Sequence, residues 1–134
     1  MASLTLEIVT PESRVLSQAV DEVIVPGFEG LFGVRPGHAP LLSIMEPGTL
    51  TLKQGSVSKS YFVAGGFVQV AANKVQVLAD QAELCSSIDV GAAQKRLQTA
   101  QEKLKGMSSE DSQFETERAK VHIETARMVA ARRR

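Results

Sequence analysis

Large rings are scarce in this sequence: it has no tryptophan, one tyrosine and five phenylalanines, 4% aromatic residues in all. Its core must therefore come mainly from Val, Leu, Ile and Ala. A stand-alone ligand-binding surface of the carbohydrate-directed kind needs exposed rings and has few to draw on. Cysteine occurs once. Cys85 has no internal disulfide partner and no Cys or His neighbours for a zinc site, so it suits a reducing compartment and reads as a small buried residue. No stretch approaches the ~18 apolar residues of a membrane span. The N-terminus MASLTLEIVT has no basic start and is interrupted by Glu7, unlike a signal peptide. Any membrane association is expected to come through a partner. Net charge is missing too: 15 basic residues balance 15 acidic ones, which leaves no global field to draw in nucleic acid.

What charge there is lies unevenly. Residues 1–88 carry five Lys or Arg against eight Asp or Glu, whereas residues 89–134 carry ten against seven. The pattern of the chain changes at the same place. The first 84 residues are cut every few positions by Pro or Gly, and the pieces between are alternating or β-branched. Leu4, Leu6 and Ile8 alternate with Thr5 and Glu7; Val15 to Val25 is rich in valine and closes at Pro26. Residues 49–53, 57–63, 66–71 and 74–79 continue the series, the last two joined by a tight turn at Asn73. Strands this short and this close leave no room for crossover helices, so a sandwich or barrel follows.

Beyond residue 87 the period becomes helical. Ala93, Leu97, Ala100 and Leu104 mark one face, with Asp89 placed as N-cap and Gly106 as terminator. Ala119, Ile123, Ala126 and Ala130 mark a second, after polar caps between Ser108 and Ser112. The short connection makes the helices antiparallel. The reading is thus a β-domain over residues 1–86 and a hairpin over 87–134, with helices at about 89–105 and about 109–131. A buried Ala contributes about 0.8 kcal/mol, a fraction of what Leu contributes, so an Ala-lined hairpin is weakly held. Small differential contacts are then enough to move it between two arrangements.

Chemistry is hard to find. Residues 26–40, PGFEGLFGVRPGHAP, hold four glycines and three prolines, but lack the spacing of a phosphate loop and a helix to follow it. They read as a structural loop displaying Glu29, Leu31, Arg35 and His38, and part of it is expected to bind a partner. His38 has no nucleophile or second ligand beside it, and His122 is expected to be solvated. Gly65-Gly66 reads as a bulge or a close approach of another backbone. Neighbouring carboxylates such as Asp21/Glu22 and Glu110/Asp111 diverge and make no acid–base pair. No enzyme is expected, and no metal. Arg118, Arg127, Arg132, Arg133 and Arg134 gather on or just past a helix end, a docking surface suited to an acidic patch on a partner.

Four blocks, GLFGVRPGHAP at 30–40, EPGTL at 46–50, AGGFVQV at 64–70 and VQVLADQAE at 75–83, stand in the order and spacing of one family. On them the chain resembles the epsilon subunit of the rotary proton-translocating ATP synthase, bacterial and chloroplast type. The resemblance implies a mostly β fold plus α: a ten-stranded β-sandwich followed by an antiparallel two-helix hairpin. It implies a non-catalytic place in the central stalk between the gamma subunit and the c-subunit ring. It also implies a hairpin that inhibits ATP hydrolysis when it extends toward the alpha and beta subunits. The chain would then be peripheral on the cytoplasmic face of a bacterial inner membrane, held there by the complex. Some members bind ATP at a motif of the form Ile/Leu-Asp-x-x-Arg-Ala. Here Ile88, Asp89 and Ala93 match and Glu83 precedes them, but Ala92 stands where the motif has Arg. ATP is expected to bind weakly if at all, and no cofactor is expected. Gln69 and Arg35 also depart from the family's usual Glu and Leu.

Overall fold

The computed structural model describes residues 3–133. Ten short strands run in sequence: β1 (Leu4–Val9), β2 (Arg14–Val20), β3 (Glu22–Gly27), β4 (Gly30–Val34), β5 (Leu41–Ile44), β6 (Gly48–Gln54), β7 (Val57–Ala64), β8 (Phe67–Ala71), β9 (Lys74–Leu78) and β10 (Gln81–Leu84). They form two five-stranded sheets, one in the order β2-β1-β9-β8-β5 and the other β10-β7-β6-β3-β4. Every pairing is antiparallel except β1 with β9. The two sheets are the layers of a sandwich. Because side chains alternate across a strand, Leu4, Leu6 and Ile8 of β1, Leu50 and Leu52 of β6, and Val75 and Val77 of β9 all point into one core and are fully buried. That core is aliphatic apart from Tyr61 and the half-buried Phe32.

The valine-rich run from Val15 to Val25, a single stretch in the sequence, is two strands in different sheets. The chain crosses between sheets at Asp21, whose Oδ2 accepts the Gly55 amide at 2.6 Å. Residues 26–40 are also more regular than a loop. Residues 30–34 are β4, closed against β3 through Phe28 and Glu29, with Pro26 opposite Leu31. Pro26 is tolerated because β6 pairs with β3 only through Glu22 to Ile24, so the missing N–H faces no ladder partner. The β8–β9 turn takes positive φ at Ala72 and Asn73, and Asn73 Oδ1 accepts the Gly37 amide at 2.6 Å, fastening the loop after β4 to the opposite sheet.

A short 3-10 turn (Cys85–Ser87) leads to α1 (Val90–Lys105). Asp89 is its N-cap, with Oδ1 accepting from the Ala92 amide at 3.0 Å, and Gly106 its C-cap. The second helix, α2, runs Phe114–Ala130 and starts five residues later than the polar cluster at 108–112 suggests. Ser108 and Asp111 spend their oxygens closing turns, accepting from the Glu110 and Gln113 amides, and so do not cap the helix. A last 3-10 turn covers Ala131–Arg133.

The hairpin lies on the outer face of the second sheet, over β6 and β7. Phe62 and Ala64 of β7, which point away from the main core, form a second small core there with Cys85, Ile88, Ala130 and Ala131. Ile123 and Ala126 pack against it, so the apolar stripe of α2 faces the sandwich rather than α1, and Ala119 is exposed. Toward α1, α2 presents Glu117 and Glu124, both buried, in a groove shared with the buried Ala100. The helix–helix seam is therefore ionic on one side, where an Ala-on-Ala seam was expected. Arg96 meets Glu124 at 3.1 Å; seven residues along α1 and seven back along α2, Lys103 meets Glu117 at 3.7 Å, the register of antiparallel helices.

Candidate partner-binding surfaces

Two surfaces stand out, one apolar and one charged. The apolar one begins with strand phase. In β8, Val68 and Val70 point into the core, which turns Phe67 and Gln69 outward. Register then lines up Ile44, Phe67, Leu78 and Val9 side by side across four strands on the outer face of the first sheet. Leu42, two residues before Ile44, shares that face. At the open edge of the sandwich the β3–β4 tip continues the surface with Phe28 and Leu31, the Phe28 amide donating to the Ile44 carbonyl at 2.9 Å. Between β4 and β5 it forms a groove of about 550 Å³. Phe28, Leu31, Leu42 and Ile44 are 65–67% exposed and Phe67 is 41% exposed. Scattered exposed apolar residues are ordinary, but a contiguous set on one face marks an interaction site.

Of the loop residues singled out from sequence, Glu29 and Leu31 belong to this surface. Arg35 and His38 do not: Leu31 and Arg35 are about 13 Å apart along an extended strand. Arg35 pairs with Glu22 at 3.2 Å, and His38 Nδ1 lies 2.7 Å from the Ala39 carbonyl oxygen. Phe28, Leu42, Ile44 and Phe67 were missed. Their signal was available in the alternation, since a large apolar residue out of phase with the core-facing set points to solvent.

The charged surface is a groove of about 680 Å³ between α1, α2 and β10. It holds Lys95 and Arg96 of α1, Lys120 and Arg127 of α2, and the carboxylates Glu83, Glu117 and Glu124. The cations are largely engaged. Lys120 pairs with Glu117 at 3.3 Å, Arg96 with Glu124, and Arg127 with both Glu124 and Glu83. Glu83 alone of the four nucleotide candidates carries a charge into this groove. Ile88 is in the second core, Asp89 is spent as a cap, and Ala93 is fully buried.

The four described arginines, Arg118, Arg127, Arg132 and Arg133, do not form one cluster. Arg118 is exposed and pairs only locally with Glu115, and Arg132 and Arg133 are exposed in the last turn. Arg127 is buried at 4% exposure, its guanidinium 4.6 Å from the centre of the Phe62 ring. With the hairpin docked, Arg127 is closed to any partner, contrary to the expectation that it joins an exposed basic patch. Arg134 lies outside the described residues. Burial pushes the Cys85 thiol and the Tyr61 phenol above their usual pKa, and neither opens onto the groove. Among the described residues no group of three or more His, Cys, Asp or Glu is placed to hold a metal, and no helix is long and apolar enough to cross a membrane.

The model of the ATP synthase delta/epsilon chain β-sandwich domain matches residues 3–85. The ATP synthase epsilon chain of Myxococcus xanthus is 62% identical over 131 residues, covering 98% of this chain and 96% of that one. The epsilon chain of an Anaeromyxobacter species (strain K) is 48% identical, covering 98% and 99%. Among solved structures, a chain in the mitochondrial ATP synthase of Euglena gracilis superposes with a TM-score of 0.81 over 100% of this chain and 83% of its own. At 22% identity that likeness speaks for the fold alone.

Proposed function

Since this chain belongs to the ATP synthase delta/epsilon family, as an epsilon chain and so a non-catalytic subunit of the complex, we propose that it clamps the gamma subunit to the c-subunit ring and that its hairpin restrains ATP hydrolysis. One observation carries this reading: the hairpin docks on the second sheet and leaves the apolar face of the first sheet and the β3–β4 tip uncovered. Coupling and regulation thus use separate surfaces, and the hairpin can move without releasing the sandwich. Arg118, Arg132 and Arg133 are already solvated, and they are the groups that would meet acidic residues of a beta subunit when the hairpin extends. The complex would hold the chain peripherally on the cytoplasmic face of a bacterial inner membrane.

The test is hydrolysis by the assembled enzyme with and without residues 89–134. Truncation is expected to raise turnover at least about twofold, the factor reached when inhibited and free states are equally populated, with gamma and c subunits still co-purifying. Equal turnover with assembly intact would refute the regulatory role.

ATP is proposed to be no tight regulator here. A methyl at Ala92 cannot hold a phosphate, and Arg96, Lys120 and Arg127 are already bound to carboxylates. Titration calorimetry of the isolated subunit is expected to give a dissociation constant no tighter than about 1 mM, near −4 kcal/mol. Micromolar binding would contradict it, and Ala92→Arg is expected to tighten it.

A further inference from the structure

Among the described residues Arg127 is the one buried cation. Its Nε donates to Glu124 Oε1 at 3.0 Å, its Nη1 to Glu83 Oε2 at 3.1 Å, and its Nη2 to Gln81 Oε1 and, at 3.5 Å, to Glu124 Oε2. The partners come from three elements: Glu124 from α2 itself, Gln81 and Glu83 from β10, and the Phe62 face from β7. The rest of the hairpin's hold on the sandwich is one partly buried isoleucine, Ile123, and weaker contacts. His122 meets Glu46 at 3.4 Å, but their side chains are 62% and 43% exposed, and pairs that exposed contribute little. The apolar contribution of Ala126, Ala130 and Ala131 is one methyl each.

We infer that Arg127 is the latch that holds the hairpin on the sandwich. Lifting α2 breaks the contacts to Glu83, Gln81 and Phe62 together, while Glu124, on the same helix, leaves with the arginine. The guanidinium keeps a carboxylate partner in both states, and the partly exposed Glu83 is resolvated when left behind. A buried ion pair is costly to break when one charge is stranded, and here neither is, so the latch can open reversibly. The functional meaning of opening rests on the regulatory hairpin proposed above, but the latch itself can be read in the isolated full-length subunit.

Cys85 supplies the readout. It is the sole cysteine, 1% exposed, and packed with Ile88, Ala130 and Ala131 beneath the hairpin end. Burial raises its thiol pKa, partly offset by Thr49 and Arg133 and reinforced by the Glu83 carboxylate, so the docked thiol is both covered and held protonated. Undocking relieves both. Reaction with a small aromatic disulfide at mildly alkaline pH is expected to speed up about tenfold or more in Arg127→Gln. It should speed up less in Gln81→Ala, and the double variant should react no faster than Arg127→Gln, because both changes remove one contact without altering the carboxylate beside the thiol. Arg118→Gln should keep the parental rate. The urea dependence of labelling should be much shallower than that of global unfolding, since local opening exposes less surface. An unchanged rate in Arg127→Gln, an equal rise in Arg118→Gln, or a urea slope equal to that of global unfolding would each overturn the latch. A faster-labelling Arg127→Gln whose assembled complex hydrolyses ATP at the parental rate upholds the latch and refutes the inhibitory hairpin.

Discussion

Replacing Ile44 and Phe67 together by Asp is expected to remove this chain from the ATP synthase complex while leaving it folded. The two residues are neighbours on adjacent strands, both with substantial solvent exposure on the outer face of the first sheet. The isolated chain is expected to lose about 2 kcal/mol, from strand preference, the covered part of the Phe67 ring and two like charges set opposite each other, and to stay folded because the main core is untouched. In an assembled interface the same change buries two unpaired carboxylates where ring and branched carbon met the partner. That costs about 3 kcal/mol or more for the pair, a loss of at least ~100-fold in affinity. Titrating the variant into complex depleted of this subunit, beside a melting curve of the free chain, measures both halves. Retained affinity would show that the interface lies elsewhere. Leu31→Asp at the tip should weaken assembly to a lesser degree.

The second large effect is on folding. Gly66→Ala should lower stability by more than about 3 kcal/mol, about 10 °C or more in melting midpoint for a chain of this size. Gly66 has φ +80°, and a Cβ there would fall on the Leu78 carbonyl oxygen, 2.7 Å from its carbon and 2.9 Å from the Ala79 Cα. Backbone cannot swing aside as a side chain can. Its own carbonyl accepts the Met45 amide at 3.2 Å, so the distortion would also reach the strand carrying Ile44. Gly55→Ala is the control: φ is +59° but the space around it is open, and only the left-handed penalty of about 1–2 kcal/mol applies. Equal losses in the two variants would mean that dihedral strain, and not the Leu78 backbone, makes Gly66 necessary.

Gly65-Gly66 shows what could be read beforehand. The glycine pair signalled a close backbone, although it joins β7 to β8 and does not bulge within one strand, and the alternation itself gave the buried faces of β1, β6 and β9. Strand patterns are legible because a period of two leaves only two faces to choose between. Helix patterns are less so. The Ala119, Ile123, Ala126 and Ala130 stripe was a real apolar face for three of its four members, but sequence could not say whether α1 or the sandwich would cover it. Arg127 illustrates the consequence. Beside terminal arginines it reads as one more surface cation, whereas its burial depends on Glu83 and Gln81, which stand 44 and 46 residues earlier in the chain. Asp89 and Gly106 were legible as caps because capping is local. Ser108 and Asp111 were misleading for the same reason, since the side chain that caps a helix also closes a turn.

The parallel pairing of β1 with β9 also sets the order in which the chain can acquire its shape. Thr5 sits opposite Lys74 and Val9 opposite Leu78, so the strand nearest the N-terminus stays open along one edge until almost eighty residues have been made. Closing a loop of that length is an entropic toll that local hairpins do not share, and it is expected to set the pace of sandwich formation. The β3–β4 and β6–β7 hairpins can assemble as they emerge from the ribosome. The first sheet must wait for β9, holding β1 as an unfinished edge in the meantime. The charges on Glu7 and Arg14 suit that interval: paired across β1 and β2, they discourage the open edge from pairing with another nascent chain, and Lys74 joins Glu7 when β9 arrives. The helices come last, when the surface that receives them already exists.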